Sequence, residues 1–180
     1  MNDHPLWNAP IRVEDVPEED GQDVTLTPDA RTREALAKIA GVVGLPRLEA
    51  HFHVSRHGQG GLRVDGTVSA TVEQTCVVTL EPVTNEVVEV VDLIFDPAAK
   101  DAPLAGEEES VLLGEAEPPE PLIDGTVDLG ALATDFLLLG IDPYPRKPGA
   151  VFSPPPTPED KESHPFAALA ALKRRSGGQS

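Results

Sequence analysis

Three of the five histidines and one cysteine hold most of the chemistry this 180-residue chain could perform. His51 and His53 stand two residues apart in EAHFHVSRH, and His57 follows. Residues i and i+2 of a strand share a face, so the two rings could reach one ion. Both fall on the polar side of the local alternation, and no cysteine or further histidine lies nearby in sequence. The expectation is therefore solvent-facing strand histidines and no metal. Cys76 is the only cysteine, in QTCVVTLEP. A nucleophilic thiol needs a base and an electropositive setting. Its sequence neighbours offer neither, so Cys76 reads as a small, buried, apolar residue at a strand end. Glu81, Glu86, Glu89 and Asp92 read as carboxylates flanking a solvated strand face. There is no Walker loop, G-x-S-x-G, H-E-x-x-H or dinucleotide fingerprint. The chain is expected to be non-enzymatic and without cofactor.

A different signal lies in PYPRKPG at 143–149. The prolines hold the backbone extended with little entropy left to lose. Tyr144, Arg146 and Lys147 are thus presented rigidly, which suits docking onto a phosphate, a carboxylate or a partner protein. The alternative is a chain that runs back across a sheet, with Tyr144 packed on it and the cations solvated.

The charge balance narrows the partners. With 14 basic and 31 acidic residues the net charge is −17. Such a chain repels phosphate at long range and is poorly suited to nonspecific nucleic-acid binding, which depends on neutralising phosphates. A basic protein partner fits better. A lone cysteine permits no internal disulfide. MNDHPLWNAP has no basic n-region and no apolar core, and is not expected to be a secretory signal. The longest apolar run, FLLLGI, falls far short of the ~18 residues of a membrane span. The expected location is cytoplasmic, with no membrane partner.

The elements that must position these residues follow from periodicity. After an N-terminal arm at 1–10, IRVEDV at 11–16 reads as a short strand and EEDGQD as an acidic loop. Thr27 offers an N-cap, with Pro28 at the first helical position. Leu36, Ile39, Ala40 and Val43 mark one helix face, ended by Gly41 and Gly44. Residues 46–57 alternate, with Leu48, Ala50, Phe52 and Val54 inward. HGQGG turns the chain, and Leu62, Val64, Gly66, Val68, Ala70 and Val72 resume the alternation, which predicts a hairpin. Gly66 marks a bulge or a close backbone approach. A third long strand runs from Val83 to Phe95, with Pro82 at its start. Residues 97–122 hold seven acids and one lysine and read as a mobile acidic loop. Asp128 caps a helix with the stripe Leu129, Leu132, Ala133, Phe136 and Leu139, closed by Gly140 and Pro143. A proline-rich linker at 153–163 leads to a short amphipathic helix at 165–175 ending in Lys173, Arg174 and Arg175. That helix reads as a linear docking element or as a frayed tail. The fold class is α+β: one domain over 11–152, with an antiparallel sheet of three long strands plus shorter ones against two helices.

VEQTCVVTLEPV at 72–83, followed by PYPRKPGAVF at 143–152, resembles the YceD-like family of large ribosomal RNA subunit accumulation proteins. IRVEDVP, VDLGALATDFLLLGIDPYP and HPFAALAALKRR match further, in family order. The resemblance implies a non-enzymatic role in accumulating the large ribosomal RNA in bacteria. It also implies a ribosomal precursor particle or a basic ribosomal protein as partner, with direct RNA contact left open. Many relatives carry a second cysteine three residues after the first, where this chain has Thr79, so a paired-thiol zinc or redox site is not expected. Cys76, Leu80, Glu81, Pro82, Asp128, Leu129 and Pro145 are signature positions expected to be structural. Tyr144, Arg146, Lys147, Lys173, Arg174 and Arg175 are the candidate contacts. An acidic interaction module or adaptor in another process remains the alternative.

Overall fold

A computed structural model describes residues 7–101 and 118–152. The linker at 153–163, the segment 165–175 with Lys173, Arg174 and Arg175, and most of the expected acidic loop lie outside them. The strands are β1 (Pro10–Arg12), β2 (Gln22–Leu26), β3 (Gly44–His57), β4 (Gly61–Thr75), β5 (Pro82–Asp96), β6 (Glu120–Pro121) and β7 (Thr126–Asp128). The helices are α1 (Ala30–Ala40) and α2 (Leu129–Gly140). β2 to β6 form one sheet in sequence order, antiparallel except for the parallel pair β5–β6. β1 and β7 pair separately. The class is α+β, as the periodicities predict.

The alternation in β3 and β4 puts Leu48, Ala50, Phe52, Val54, Leu62, Val64, Val68, Ala70 and Val72 on one buried face. Val83, Val87 and Val91 extend it onto β5. α1 packs over β3, and α2 over β4 and β5, and among the described residues no element covers the other sheet face. One continuous core results. A single covered face is what strictly alternating strands require.

Several elements differ from expectation. β1 stops at Arg12 because Val13–Asp15 wind into a 3-10 turn, although Val16 is still buried. The segment before Ile11 joins the fold: Trp7 is buried, and Ala9 exchanges contacts with the start of α2. The second half of the acidic stretch is β2, whose Val24 and Leu26 pack against the core beside β3. The cap of α1 is Asp29, not Thr27. Its carboxylate accepts from the Thr32 N–H at 2.8 Å, and those Thr32 donors hold its pKa below the usual range. A carboxylate two residues after Thr27 displaces the hydroxyl because it reaches the open N–H groups with full charge.

α1 ends in a left-handed Gly41, with Val42 N–H donating to the Ala37 carbonyl at 3.0 Å, a Schellman closure. Gly44 instead opens β3. The buried face of α1 is Leu36 and Ala37, whereas Ile39 and Val43 are exposed. A helix of eleven residues meets the sheet along a narrower line than its apolar count suggests. In α2 the inward residue of the last turn is Leu137; Leu139 is 76% exposed. The two lie on opposite rims of the same stripe, and the sheet meets the Leu137 rim. Residues 97–101 form a 3-10 turn, and Glu120–Pro121 return to the sheet as β6, followed by the buried Leu122.

Candidate functional site

β4 ends at Thr75, and the chain must reverse before Pro82 opens β5. It does so around Cys76. The Cys76 N–H donates to the Glu81 carbonyl at 2.8 Å, and the Leu80 N–H donates to the Cys76 carbonyl at 3.0 Å. The Thr79 N–H points at the Cys76 sulfur at 3.4 Å. This closure holds Leu80 at φ +60°, in the left-handed region that a non-glycine residue adopts only when its surroundings impose it.

The second stretch docks onto this turn from more than sixty residues away. Val77 N–H donates to the Pro145 carbonyl at 2.9 Å. Lys147 N–H donates to the Cys76 sulfur at 3.3 Å, and its ammonium reaches Glu81 at 2.9 Å. Upstream, the buried Gln74 amide donates to the Asp142 carbonyl at 2.8 Å and accepts from Asn85 at 3.0 Å. Asp142 accepts from the Tyr144 N–H at 2.8 Å, which fixes the bend leaving α2. Pro145 is buried against the turn, while Tyr144 and Arg146 on either side of it are exposed.

Cys76 has no exposed surface but sits at the rim, outside the main core. The N–H groups of Lys147, Thr79 and Val78, with the Thr79 side chain, lower its pKa to about 6, against burial, which raises it. The thin cover at the rim explains why the donors win. The positive setting missing from QTCVVTLEP is thus supplied by backbone dipoles, one of them from a segment far away in sequence. A sulfur with no accessible surface is not placed to attack a substrate. It acts as an acceptor that joins two loops.

The other expected site residues fall into place around this. Lys147 is not a free cation, because Glu81 holds it and is itself held below the usual carboxylate range by that ammonium. Arg146 is exposed, and among the described residues no side chain pairs with it. Tyr144 is 72% and Leu80 76% exposed, and Val77 is about half-exposed. One end of the molecule therefore presents Leu80, Val77, Tyr144 and Arg146 on a backbone that hydrogen bonds hold fixed. Asp128 is a structural residue. Its carboxylate accepts from the N–H groups of Ala9, Gly130 and Ala131 at 2.9–3.1 Å. Leu129 is buried beside it. Pro82 begins β5 at its pairing with Thr75.

His51 and His53 lie on the outer sheet face, each turned toward β2, and His57 is exposed at the end of β3. His51 Nδ1 contacts the Thr25 hydroxyl at 3.1 Å, and His53 Nδ1 contacts the Asp23 carboxylate at 2.7 Å. Among the described residues no group of three His, Cys, Asp or Glu side chains converges on a metal position. The His51 and His53 rings instead tie the edge strand β2 to β3. The Asp23 carboxylate raises the His53 pKa above 6.5, with Asp65 on the next strand adding to it. A raised folded pKa means the pair stabilises below the unfolded value near 6.5 and fades as pH climbs through the folded value. Exposed pairs contribute roughly 0–1 kcal/mol. Asp23→Asn should therefore lower the Tm slightly at pH 5.5 and leave it unchanged at pH 8.5. Equal losses at both pH values would remove His53 from the account. Two of the carboxylates along β5 are likewise partnered: Glu86 with Arg47 at 2.8 Å, and Asp92 with both donors of Arg63 at 3.0–3.1 Å.

The domain is α+β, two distant loops are locked together at one exposed end, and its only thiol is covered. The family model described as large ribosomal RNA subunit accumulation protein YceD matches residues 64–173. That match spans more than half of the chain and both joined loops, and the chain belongs to this family. No curated protein and no solved structure matches it. Among the described residues no helix is long and apolar enough to cross a membrane.

Proposed function

We propose that this chain is a non-enzymatic, cytoplasmic factor in bacterial large ribosomal subunit biogenesis. In this reading it supports accumulation of the large ribosomal RNA, the role its family's description carries, by docking onto a precursor particle. The observation behind this reading is the joining of residues 76–81 and 143–147 into one rigid end. The two stretches that carry the family likeness are spent on presenting Tyr144, Leu80 and Arg146, and not on chemistry. A surface with its backbone already ordered loses little entropy on binding. With a net charge of −17, a basic ribosomal protein on the particle is a better first contact than naked RNA.

Arg146→Glu tests the reading. An exposed side chain without a partner should tolerate reversal within about ±0.5 kcal/mol of stability, so the Tm should hold. The variant should nevertheless fail to restore large-subunit RNA in a deletion strain and should leave the precursor fractions of a sucrose gradient. Full rescue by a stably expressed variant would contradict the proposal. Lys147→Glu is the poorer probe, because it also places two carboxylates together at Glu81.

A further inference from the structure

The long outer edge of β5 is open. β6 covers only Phe95 and Asp96, and among the described residues nothing pairs with β5 from Thr84 to Ile94 on that side. Which backbone groups face outward follows from one hydrogen bond. The Leu122 N–H donates to the Asp96 carbonyl at 3.1 Å, so Asp96 points away from β4. In a strand with an antiparallel partner, each residue sends N–H and C=O to the same side, and the side alternates. Thr84, Glu86, Val88, Val90, Asp92 and Ile94 therefore present their amides and carbonyls to open space. Over these eleven residues the edge is about 35 Å long.

Sheet edges are ordinarily blunted by lysine, proline, a bulge or a cover. β5 has no lysine or arginine, no proline after Pro82, and an unbroken register against β4. Val88 and Val90, in the middle of the edge, are 64% and 72% exposed. All its charges are acidic: Glu86 and Asp92 are held by Arg47 and Arg63, Asp96 lies under β6, and Glu89 has no cationic partner among the described residues.

We propose that the β5 edge is a docking site for an extended basic segment of another protein, which adds to the sheet as a further strand. The pattern that fits alternates cationic and apolar or β-branched residues, so that its apolar side chains meet Val88 and Val90 on the outer face and its cations meet Glu89 on the other. Main-chain hydrogen bonds supply affinity in this mode, and the side chains supply selectivity. A second copy of the chain fits poorly. Antiparallel pairing of two β5 edges with Val88 opposite Val90 sets Glu89 opposite Glu89 of the other copy, and like charges directly opposite destabilise. The net charge of −17 on each copy opposes their approach as well. This site is separate from the Tyr144 end, and its occupancy does not depend on the role proposed there.

The test uses the full chain and a ten-residue peptide alternating lysine with valine and threonine, followed by amide hydrogen exchange. In the free protein the amides of Thr84, Glu86, Val88, Val90, Asp92 and Ile94 should exchange fast and their odd-numbered neighbours slowly. Added peptide should slow those six. Val90→Pro removes an outward N–H and leaves the β4 ladder intact, and Val88→Lys with Val90→Lys sets charges where the peptide's valine and threonine side chains dock. Each should weaken binding at least tenfold. If the Val90→Pro chain does not fold, the double lysine variant still decides. Six amides already protected in the free chain would overturn the proposal, as would equal binding of a glutamate-for-lysine peptide or binding indifferent to the lysine variant. Self-association that protects the same six amides would replace the basic segment with a second copy.

Discussion

Gly66→Ala is expected to destabilise this protein by about 3 kcal/mol or more, the upper end of what overpacking costs. A Cβ on Gly66 would lie 2.0 Å from the His51 carbonyl oxygen and 2.9 Å from the Phe52 Cα. Both obstacles are backbone, so no side-chain rotation relieves them. Gly66 pairs with Phe52 on one side and Val91 on the other. The middle strand therefore cannot retreat from one neighbour without opening the ladder to the other. For a domain of this size the Tm should fall by roughly 6–12 °C. Thr67→Ala, on the solvent face one residue later, should stay within about 0.5 kcal/mol. A Gly66→Ala variant that melts within about 2 °C of the parent would show that the close approach relaxes at little cost.

The second large effect is expected at Cys76. Cys76→Ala removes a fully covered side chain and takes the acceptor from two backbone donors, Thr79 N–H and Lys147 N–H. Buried donors left without a partner and the small void together cost about 2 kcal/mol. The loss should be local before it is global. The amides of Val77 and Lys147, which bridge the two loops, should exchange faster, while those in the middle of β3 and β4 keep their protection. Cys76→Ser keeps an acceptor, although a shorter one, and should fall between the parent and alanine. In the native parent, a bulky thiol reagent should label Cys76 only after unfolding. Unchanged exchange at Val77 and Lys147 in the alanine variant would mean that the two loops are held together without the sulfur.

Where neighbouring residues alone decide the outcome, the sequence was sufficient. The hairpin of β3 and β4 is legible because its period of two leaves one arrangement that buries Leu48, Phe52, Val64 and Val68 together. The start of α2 is legible because Asp128 needs only the N–H groups of its own first turn. Gly66 was marked as a bulge or a close approach. It is the close approach, since the register passes through it unbroken. β2 was hidden because Gln22 and Asp23 look like loop, and only pairing with β3 makes five such residues a strand. Leu139 was placed inward and Leu137 overlooked because a helical stripe has two rims and a sequence does not say which one meets the sheet.

The sequence by itself determined the α+β class, the three long strands, the family and the two stretches that mark it. It could not show that those stretches form one structure. Cys76 and Lys147 are 71 residues apart, and all but one of the hydrogen bonds between residues 74–81 and the 142–147 segment involve a backbone group, which looks alike at every position. The same contacts decide that Lys147 is tied to Glu81 while Arg146 stands free of partners among the described residues. They also add the Lys147 N–H to the donors that Thr79 and Val78 already turn on Cys76. The open edge of β5 likewise follows from strand order, and strand order is settled only when all the strands have found their places in the sheet.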